Sequence, residues 1–134
     1  MTEQTQFLAV TSYLRYPDGD AAAEWLARVL GFGPVDPLRV KRDDSGRWQE
    51  GELAIGPTRL DISGGSPPHP EFGTGALLIV HVADVDAQYE RIRAAGAEID
   101  PPKDESYGPR TCHVTDPWGY QWYFWQGEAV YPAE

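Results

Sequence analysis

Apolar and polar positions in the first part of the chain predict a strand followed by a helix. Residues 7–16, FLAVTSYLRY, mix apolar and β-branched side chains over the length of a strand. After the PDGD turn, the stretch AAAEWLARVLGFG has the spacing of an amphipathic helix. Its apolar stripe consists of Ala22, Trp25, Leu26, Val29 and Leu30. Asp20 is the expected N-cap residue, and Gly31 or Gly33 is expected to end the helix.

Three further runs, each bounded by Gly, Asp or Pro, predict short strands: PLRVKRD, RWQEGELAIG and TRLDIS. A tight turn at Gly56-Pro57 joins the last two. The first module, residues 7–63, therefore has the order β-α-β-β-β. Residues 64–75 hold four Gly and three Pro and predict a linker. A second module spans residues 76–126.

The second module repeats the order of the first. ALLIVHV predicts a strand, AQYERIRAAGAE a helix, and TCHVTD and YQWYFWQ two strands; AEIDP is the expected counterpart of PLRV. An offset of 66 positions pairs Asp20 with Asp86, Ala21 with Ala87, Glu24 with Glu90 and Leu26 with Ile92. These patterns predict an α+β fold in one domain, residues 1–134, whose two tandem modules form a curved mixed sheet around a cleft. Concave apolar clefts are where small ligands bind.

The charge of the chain changes which partners are expected. The formal net charge is −10, and the acidic residues are scattered. Nucleic acid and anionic membrane surfaces require basic patches, so neither is expected as a partner. The acidity suits a cationic ligand, although solubility alone explains an acidic surface as well. The single cysteine, Cys112, cannot form an internal disulfide, and no secretory signal is visible. The expectation is a cytoplasmic protein.

Long stretches of the chain resemble the vicinal oxygen chelate superfamily, which includes glyoxalase I, extradiol dioxygenases and bleomycin-resistance proteins. The similar stretches are YLRYPDGDAAAEWLARVLGFG, GELAIGPTRLDIS and residues 80–124, VHVADVDAQYERIRAAGAEIDPPKDESYGPRTCHVTDPWGYQWYF. The most specific is YGPR…DPWGYQW, which is similar to small glyoxalase-like and resistance proteins. The resemblance implies the glyoxalase/bleomycin-resistance fold. It does not by itself imply one activity.

Enzymes of that superfamily hold a divalent metal on four side chains, one from each of four cleft-facing strands. The corresponding positions in this chain are Thr11, Asp61, Leu77 and Tyr123. Leucine offers no donor atom and a neutral phenol is a poor ligand. No metal and no cofactor are therefore expected at the usual site.

A displaced metal site is the alternative. Strand alternation places Leu77, Ile79 and His81 on one face, and His113 can share the same cleft. Two histidines with Asp61 or Glu52 would be a chemically sensible set of ligands. Isolated histidines without a short spacing motif are more often sheet residues or ligand contacts.

The aromatic stretch QWYFWQ is expected to serve two purposes on its two faces. If Tyr123 faces the cleft, then Gln121 and Trp125 face the ligand too. Trp122 and Phe124 then face the helices and build the core.

Other rings are expected around the same cleft. Trp48 shares a strand with Glu50 and Glu52, and Tyr13 shares a face with Thr11. Tyr107 and Trp118 are expected in loops at the cleft mouth. Such rings stack on planar or cationic groups, and Asp61 or Glu52 would neutralise a ligand's charge. Packing against a dimer partner is the competing explanation, because interfaces favour Trp and Tyr too.

Arg110 and the DPWG turn complete the candidate residues. In the similar patterns an arginine at the position of Arg110 fixes a polar group of the ligand; the alternative is an ion pair with Asp104, Glu105 or Asp116. Asp116-Pro117-x-Gly119 is interpreted as turn chemistry, in which the aspartate accepts backbone N–H bonds.

Two functions follow from these observations. The first is a protein of the bleomycin-resistance type that binds an antibiotic-like molecule or metabolite carrying a cationic or aromatic group; the resemblance implies a homodimer. The second is a glyoxalase-like lyase, isomerase or dioxygenase that uses His81 and His113. The expected ligand-binding residues are Tyr13, Trp48, Glu52, Asp61, His81, Arg110, His113, Tyr123 and Trp125.

Overall fold

The computed structural model describes residues 5–6, 8–65 and 77–130, and it contains the β-α-β-β-β order twice. The first module consists of β1 (Ser12–Tyr16), α1 (Gly19–Trp25) with a π-helical continuation (Leu26–Leu30), β2 (Val35–Arg42), β3 (Trp48–Ile55) and β4 (Thr58–Gly64). The second consists of β5 (Leu77–His81), α2 (Val85–Ala94), β6 (Lys103–Asp104), β7 (Arg110–Thr115) and β8 (Gln121–Gln126). The predicted α+β class is confirmed. Of the predicted linker, residues 66–75 lie outside the described residues.

Each module forms one four-stranded mixed sheet. The strand orders are β1-β4-β3-β2 and β5-β8-β7-β6. In both sheets the first strand runs parallel to the last, and the remaining pairs are antiparallel. The repeat in the sequence is therefore a repeat in topology.

Both helices begin at equivalent aspartates, but the first is not the expected one. The Asp18 carboxylate accepts a hydrogen bond from the Ala21 N–H at 3.1 Å, and the Asp84 carboxylate accepts one from the Ala87 N–H at 3.0 Å. The N-cap of α1 is therefore Asp18, because the extended backbone that a cap requires occurs there. The predicted cap, Asp20, lies inside the first turn. The expected stop is correct, since Gly31 adopts a left-handed φ of 81°.

The shortest strand of the second module lies later than predicted. AEIDP, residues 97–101, forms no strand, and β6 is the dipeptide Lys103–Asp104. It pairs with Arg110 and Thr111 of β7.

The two modules share one hydrophobic core. Each sheet has an inner face, toward the helices, and an outer face on the opposite side. Phe32, which follows the first helix, packs against Trp122 and Phe124 of the second sheet's inner face at ring distances of 5.2 and 6.5 Å. The Gln88 amide donates to the Leu30 carbonyl at 2.9 Å, which ties the two helices together. Inner faces and helices therefore join the modules.

Both outer faces are left open to solvent. Tyr13 on the first is 51% exposed and Leu77 on the second is 57% exposed. In the described part of the chain, no helix is long and apolar enough to cross a membrane.

Candidate functional site

The outer face of the second sheet is an exposed aromatic and apolar surface, called here the aromatic face. It consists of Leu77, Ile79, His81, His113, Tyr123 and Trp125. The expected alternation of β8 is confirmed, because Trp122 and Phe124 are fully buried while Tyr123 and Trp125 are half-buried. β8 lies between β5 and β7, so its rings come into contact with a histidine from each neighbouring strand.

The rings of the aromatic face form two groups. The His113 imidazole stacks on the Tyr123 ring with centroids 4.8 Å apart and planes 12° from parallel. His81 meets the Trp125 indole edge to face at 6.0 Å. Tyr107 reaches the same indole from the β6–β7 loop at 5.7 Å. The expectation that Tyr107 lies near these residues is correct.

The loop that carries Tyr107 is held by the chain after β8. The Val130 N–H donates to the Tyr107 carbonyl at 2.6 Å. Gly108 has a φ of 129°, and a Cβ there would collide with the Glu128 carbonyl. Only glycine permits both that conformation and that approach. The Tyr107 ring is thereby positioned beside Trp125 while 43% of the residue stays exposed.

The outer face of the first sheet is dominated by charge and is called here the charged face. It carries Tyr13, Glu50, Glu52 and Asp61 together with the guanidinium groups of Arg39 and Arg59. Tyr13 lies beside Asp61 across β1 and β4, and Asp61 lies beside Glu52 across β4 and β3. Three predicted site residues therefore form one row.

The acidic groups of this row differ in their partners. Glu52 forms ion pairs with Arg39 at 3.3 Å and Arg59 at 3.7 Å. Asp61 forms no ion pair with the described residues. Partial burial, and then the negative charges of Glu52 and Glu50, raise the pKa of Asp61 above its ordinary value. A cationic group bound beside Asp61 would therefore stabilise the ionised form of this carboxyl group.

An open groove of about 650 Å³ begins at one edge of the aromatic face. It runs from Leu77, Ile79 and His81 to the β3–β4 turn and Arg59. Its size lies within the range typical of small-molecule sites.

Trp48 does not lie on the charged face, contrary to expectation. Lys41 pairs with Glu50 while Arg42 pairs with Trp48, so Gln49 is an extra residue on β3. Such a bulge reverses the alternation. The Trp48 side chain consequently points inward and is 7% exposed, and its indole N–H donates to the Ile62 carbonyl at 2.9 Å.

The space for the Trp48 ring comes from two glycines. A Cβ at Gly19 or at Gly51 would overlap the indole. Trp48 is therefore a core residue that fills the gap between α1 and the first sheet.

Arg110 also lies on an inner face, away from the aromatic face. It shares the parity of Cys112 and Val114 on β7. Its guanidinium donates to both carboxylate oxygens of Asp86 at 2.9 and 3.0 Å and to Asp104 at 3.3 Å. Of the partners considered from sequence, Asp104 is correct, and Asp86 was missed. These ion pairs hold the guanidinium on the inner side of the sheet, and its contact with a ligand stays a prediction.

Asp116 has a larger role than its turn. Its Oδ1 accepts the Trp118 and Tyr120 backbone N–H groups, each at 3.0 Å, as the turn chemistry predicts. Its Oδ2 accepts the Tyr16 hydroxyl at 2.8 Å and the Trp122 indole N–H at 3.1 Å. The carboxylate is 3% exposed, and this burial raises its pKa. Asp116 therefore ties β1 of the first module to β8 of the second.

Trp118 belongs to the same junction and not to the mouth of a cleft. Its ring meets Tyr16 edge to face at 5.2 Å and Trp25 at 6.5 Å. Nothing in the sequence beyond the DPWG turn pointed to this contact between modules.

The donor atoms available for a metal ion are dispersed. His81 and His113 lie on β5 and β7, with β8 between them, and Asp61 is on the other sheet. Two strand spacings amount to about 10 Å, which is too far for both imidazoles to bind one ion. Within the described residues, no three His, Cys, Asp or Glu side chains are grouped closely enough to hold a metal ion.

The family model of the Glyoxalase/Bleomycin resistance protein/Dioxygenase superfamily matches residues 6–124. The chain belongs to this superfamily. A comparison with curated proteins gave no match.

Several solved structures have the same fold as this chain over nearly its whole length. TioX from Micromonospora sp. ML1 is 27% identical, with a TM-score of 0.71 over 91% of this chain and 100% of that one. The bleomycin-binding protein of Streptomyces verticillus, solved with copper(II)-bleomycin, is 25% identical, with a TM-score of 0.66 over 93% and 100% of the two chains. A glyoxalase-related enzyme from Clostridium phytofermentans is 18% identical and has a TM-score of 0.75 over 94% and 100%. Binding proteins and enzymes thus occur among the relatives of this fold.

Proposed function

We propose that this protein binds and sequesters a small antibiotic-like molecule or metabolite without using the superfamily's usual metal site. The observation that carries the proposal is the aromatic face, where half-buried Tyr123 and Trp125 and two exposed histidines lie beside exposed Leu77 and Ile79. Monomeric proteins rarely leave such contiguous apolar surface without a binding role. The likeness to a structure solved with bleomycin supports the same class of function.

The ligand combines a planar ring system with a positive charge. Rings of the aromatic face stack on planar groups, which gains about 0.5–1.5 kcal/mol per pair beyond the buried area. Asp61, whose charge no described arginine or lysine pairs, supplies the counter-charge from the charged face.

Both faces act on one ligand if two copies of the chain assemble. Within one chain the modules meet through their inner faces, so each outer face needs another surface to enclose a cleft. A homodimer that lays the charged face of one copy opposite the aromatic face of the other creates two such clefts. The exposed Ile79 side chain then becomes part of the contact.

A fluorescence titration tests the binding proposal. Bleomycin and the planar cation 9-aminoacridine are expected to quench tryptophan fluorescence with saturation. Tyr123→Leu is expected to weaken binding about tenfold or more, because a ring at the centre of a site carries much of the affinity. Tyr89→Leu, which removes another half-buried tyrosine from α2, is the matched control and leaves binding unchanged. Equal losses in the two variants would contradict the proposed site.

Oligomeric state is measured by analytical ultracentrifugation. The wild-type chain is expected to sediment as a dimer and Ile79→Glu as a monomer with weakened binding. A monomeric wild-type chain that binds normally would refute the two-chain cleft.

The enzymatic alternative requires metal or proton transfer at His81 and His113. Elemental analysis of protein purified without chelator separates the two functions. Stoichiometric zinc, nickel, manganese or iron that is lost in His81→Ala would favour the enzyme. Ligand binding that persists in His81→Ala without metal supports sequestration.

A further inference from the structure

The indole N–H of Trp125 is a buried donor without a partner. Its nitrogen is buried and makes no hydrogen bond to any described residue. Two other buried indoles of the chain are satisfied, since Trp48 donates to the Ile62 carbonyl and Trp122 donates to Asp116. The two indoles that have hydrogen-bond partners, Trp48 and Trp122, point toward the inner faces of the sheets. Trp125, which lacks a partner, is on an outer face.

An unpartnered buried donor disfavours the folded state, because the N–H loses its water without gaining an acceptor. Packing between His81 and Tyr107 needs only an aromatic ring, which phenylalanine would supply. The indole at this position is therefore explained by an acceptor that arrives from outside the chain.

The surroundings of Trp125 allow such an acceptor to arrive. Its ring borders His81 on β5 and Tyr107 on the β6–β7 loop, at 6.0 and 5.7 Å. Tyr107 is 43% exposed and is attached to the fold through its backbone, so its side chain can rotate while the loop stays in place.

We propose that Trp125 is the hydrogen-bond donor of the ligand site. The ligand carries an acceptor, a carbonyl oxygen or an aromatic ring nitrogen, next to the planar system that lies on the aromatic face. When the Tyr107 side chain moves aside, this acceptor accepts a hydrogen bond from the Trp125 Nε1–H. The inference rests on the proposed function and specifies the ligand's chemistry.

Stability of the ligand-free protein is the first test. Trp125→Phe keeps a ring and removes the unpartnered N–H, so its melting temperature is expected to equal or exceed that of the wild-type chain. Trp122→Phe is the matched control on the same strand; it removes an N–H that Asp116 accepts, so its melting temperature is expected to fall by several degrees. A fall in Trp125→Phe as large as in Trp122→Phe would mean that the protein itself satisfies Nε1 and would overturn the inference.

Ligand discrimination is the second test, measured by isothermal titration calorimetry with acridine-4-carboxamide and 4-methylacridine. The two probes share a ring system, and only the first carries a carbonyl beside it. The wild-type chain is expected to bind the carboxamide about tenfold more tightly, which is the effect of one hydrogen bond. Trp125→Phe is expected to bind the two probes alike, because neither probe then gains a hydrogen bond at this position.

The outcomes separate this inference from the proposed function. Equal binding of the two probes by the wild-type chain, or unchanged discrimination in Trp125→Phe, overturns the role of Nε1 and leaves sequestration standing. Failure of both probes to bind overturns the ligand chemistry inferred here. In that case the bleomycin titration still decides whether the protein is a binding protein.

Discussion

The two modules share a backbone plan and differ in the chemistry of their outer faces. Each has a helix that begins at an aspartate cap, a first strand parallel to the last, and an arginine that binds an aspartate in the first helical turn. The first module displays carboxylates and guanidinium groups, whereas the second displays tyrosine, tryptophan and histidine. The duplicated scaffold is thus kept by inner-face contacts, while the outer faces are free to diverge.

The repeated ion pair shows what the scaffold retains. Arg42 holds both oxygens of Asp20 at 2.7 Å, and Arg110 holds both oxygens of Asp86 at 2.9 and 3.0 Å. In each pair the guanidinium lowers the pKa of the carboxyl group. A bidentate pair fixes the angle between helix and sheet. The aspartates of the two pairs are at equivalent positions, whereas Arg42 lies on β2 and Arg110 on β7, the counterpart of β3.

Removing the charge that joins the modules is expected to have the largest effect. Asp116→Asn keeps the Oδ1 acceptor for two backbone N–H groups but sets an NH2 group against the Trp122 N–H and the Tyr16 hydroxyl. The expected loss in the free energy of unfolding is about 2–4 kcal/mol. Chemical denaturation measures it. Tyr16→Phe removes one of the donors to the Asp116 carboxylate and is expected to lower the free energy of unfolding by about 1 kcal/mol. An Asp116→Asn protein as stable as the wild type would show that the modules do not depend on this contact.

The difference between inward and outward rings is tested by a pair of substitutions. Trp48→Leu is expected to lower the free energy of unfolding by about 2–4 kcal/mol, because it leaves a cavity beside Gly19 and Gly51. Its ligand affinity is expected to stay unchanged below the unfolding transition. Tyr123→Leu should show the reverse, with a small loss of stability and a large loss of affinity. The two proteins are compared by denaturation and by titration; a large affinity loss in Trp48→Leu would place that ring in the site after all.

The smallest expected effect concerns the charged face. The pKa of Asp61 is raised, so ionisation is less favourable in the folded chain than in the unfolded one. Asp61→Asn is therefore expected to be more stable than the wild type at neutral pH, by about 0.5 kcal/mol. This advantage disappears as the pH falls below the ordinary value of 3.8, where the carboxyl group is neutral in both states.

Denaturation at neutral and acidic pH measures the difference between Asp61→Asn and the wild type. Asp100→Asn, an exposed aspartate outside both faces, is the control. A variant less stable than wild type at neutral pH would mean that Asp61 makes a favourable contact.

The sequence predicted correctly those features that depend on the alternation of side chains along a strand and on the repeated order of elements. The alternation of β8 correctly separated Trp122 and Phe124 from Tyr123 and Trp125, because a strand between two neighbours has little freedom of register. The repeat likewise predicted the β-α-β-β-β order of elements along both modules. Strand alternation also predicted that His81 and His113 lie on the same face of the sheet as Tyr123.

The contacts that the sequence did not reveal have two physical causes, a bulge and partners distant in the chain. One extra residue at Gln49 turned Trp48 inward, and a bulge leaves no clear signal in a single sequence. Arg110 and Asp116 contact residues distant in the chain, Asp86 and Tyr16. The packing of helices and modules determines these partners, and local sequence patterns do not predict that packing.

The Tyr120 side chain covers part of the free edge of β1 in the first sheet. Its hydroxyl accepts the Arg15 N–H at 3.0 Å and donates to the Arg15 carbonyl at 2.8 Å. Both main-chain groups on the free side of β1 at that residue are thereby occupied by a phenol from the other module. An incoming extended peptide finds no vacant pair of hydrogen-bonding groups at this point, so the sheet resists growing by edge-to-edge addition. The Tyr120 hydroxyl, which joins the two modules, thus also disfavours fibril formation through this edge of the sheet.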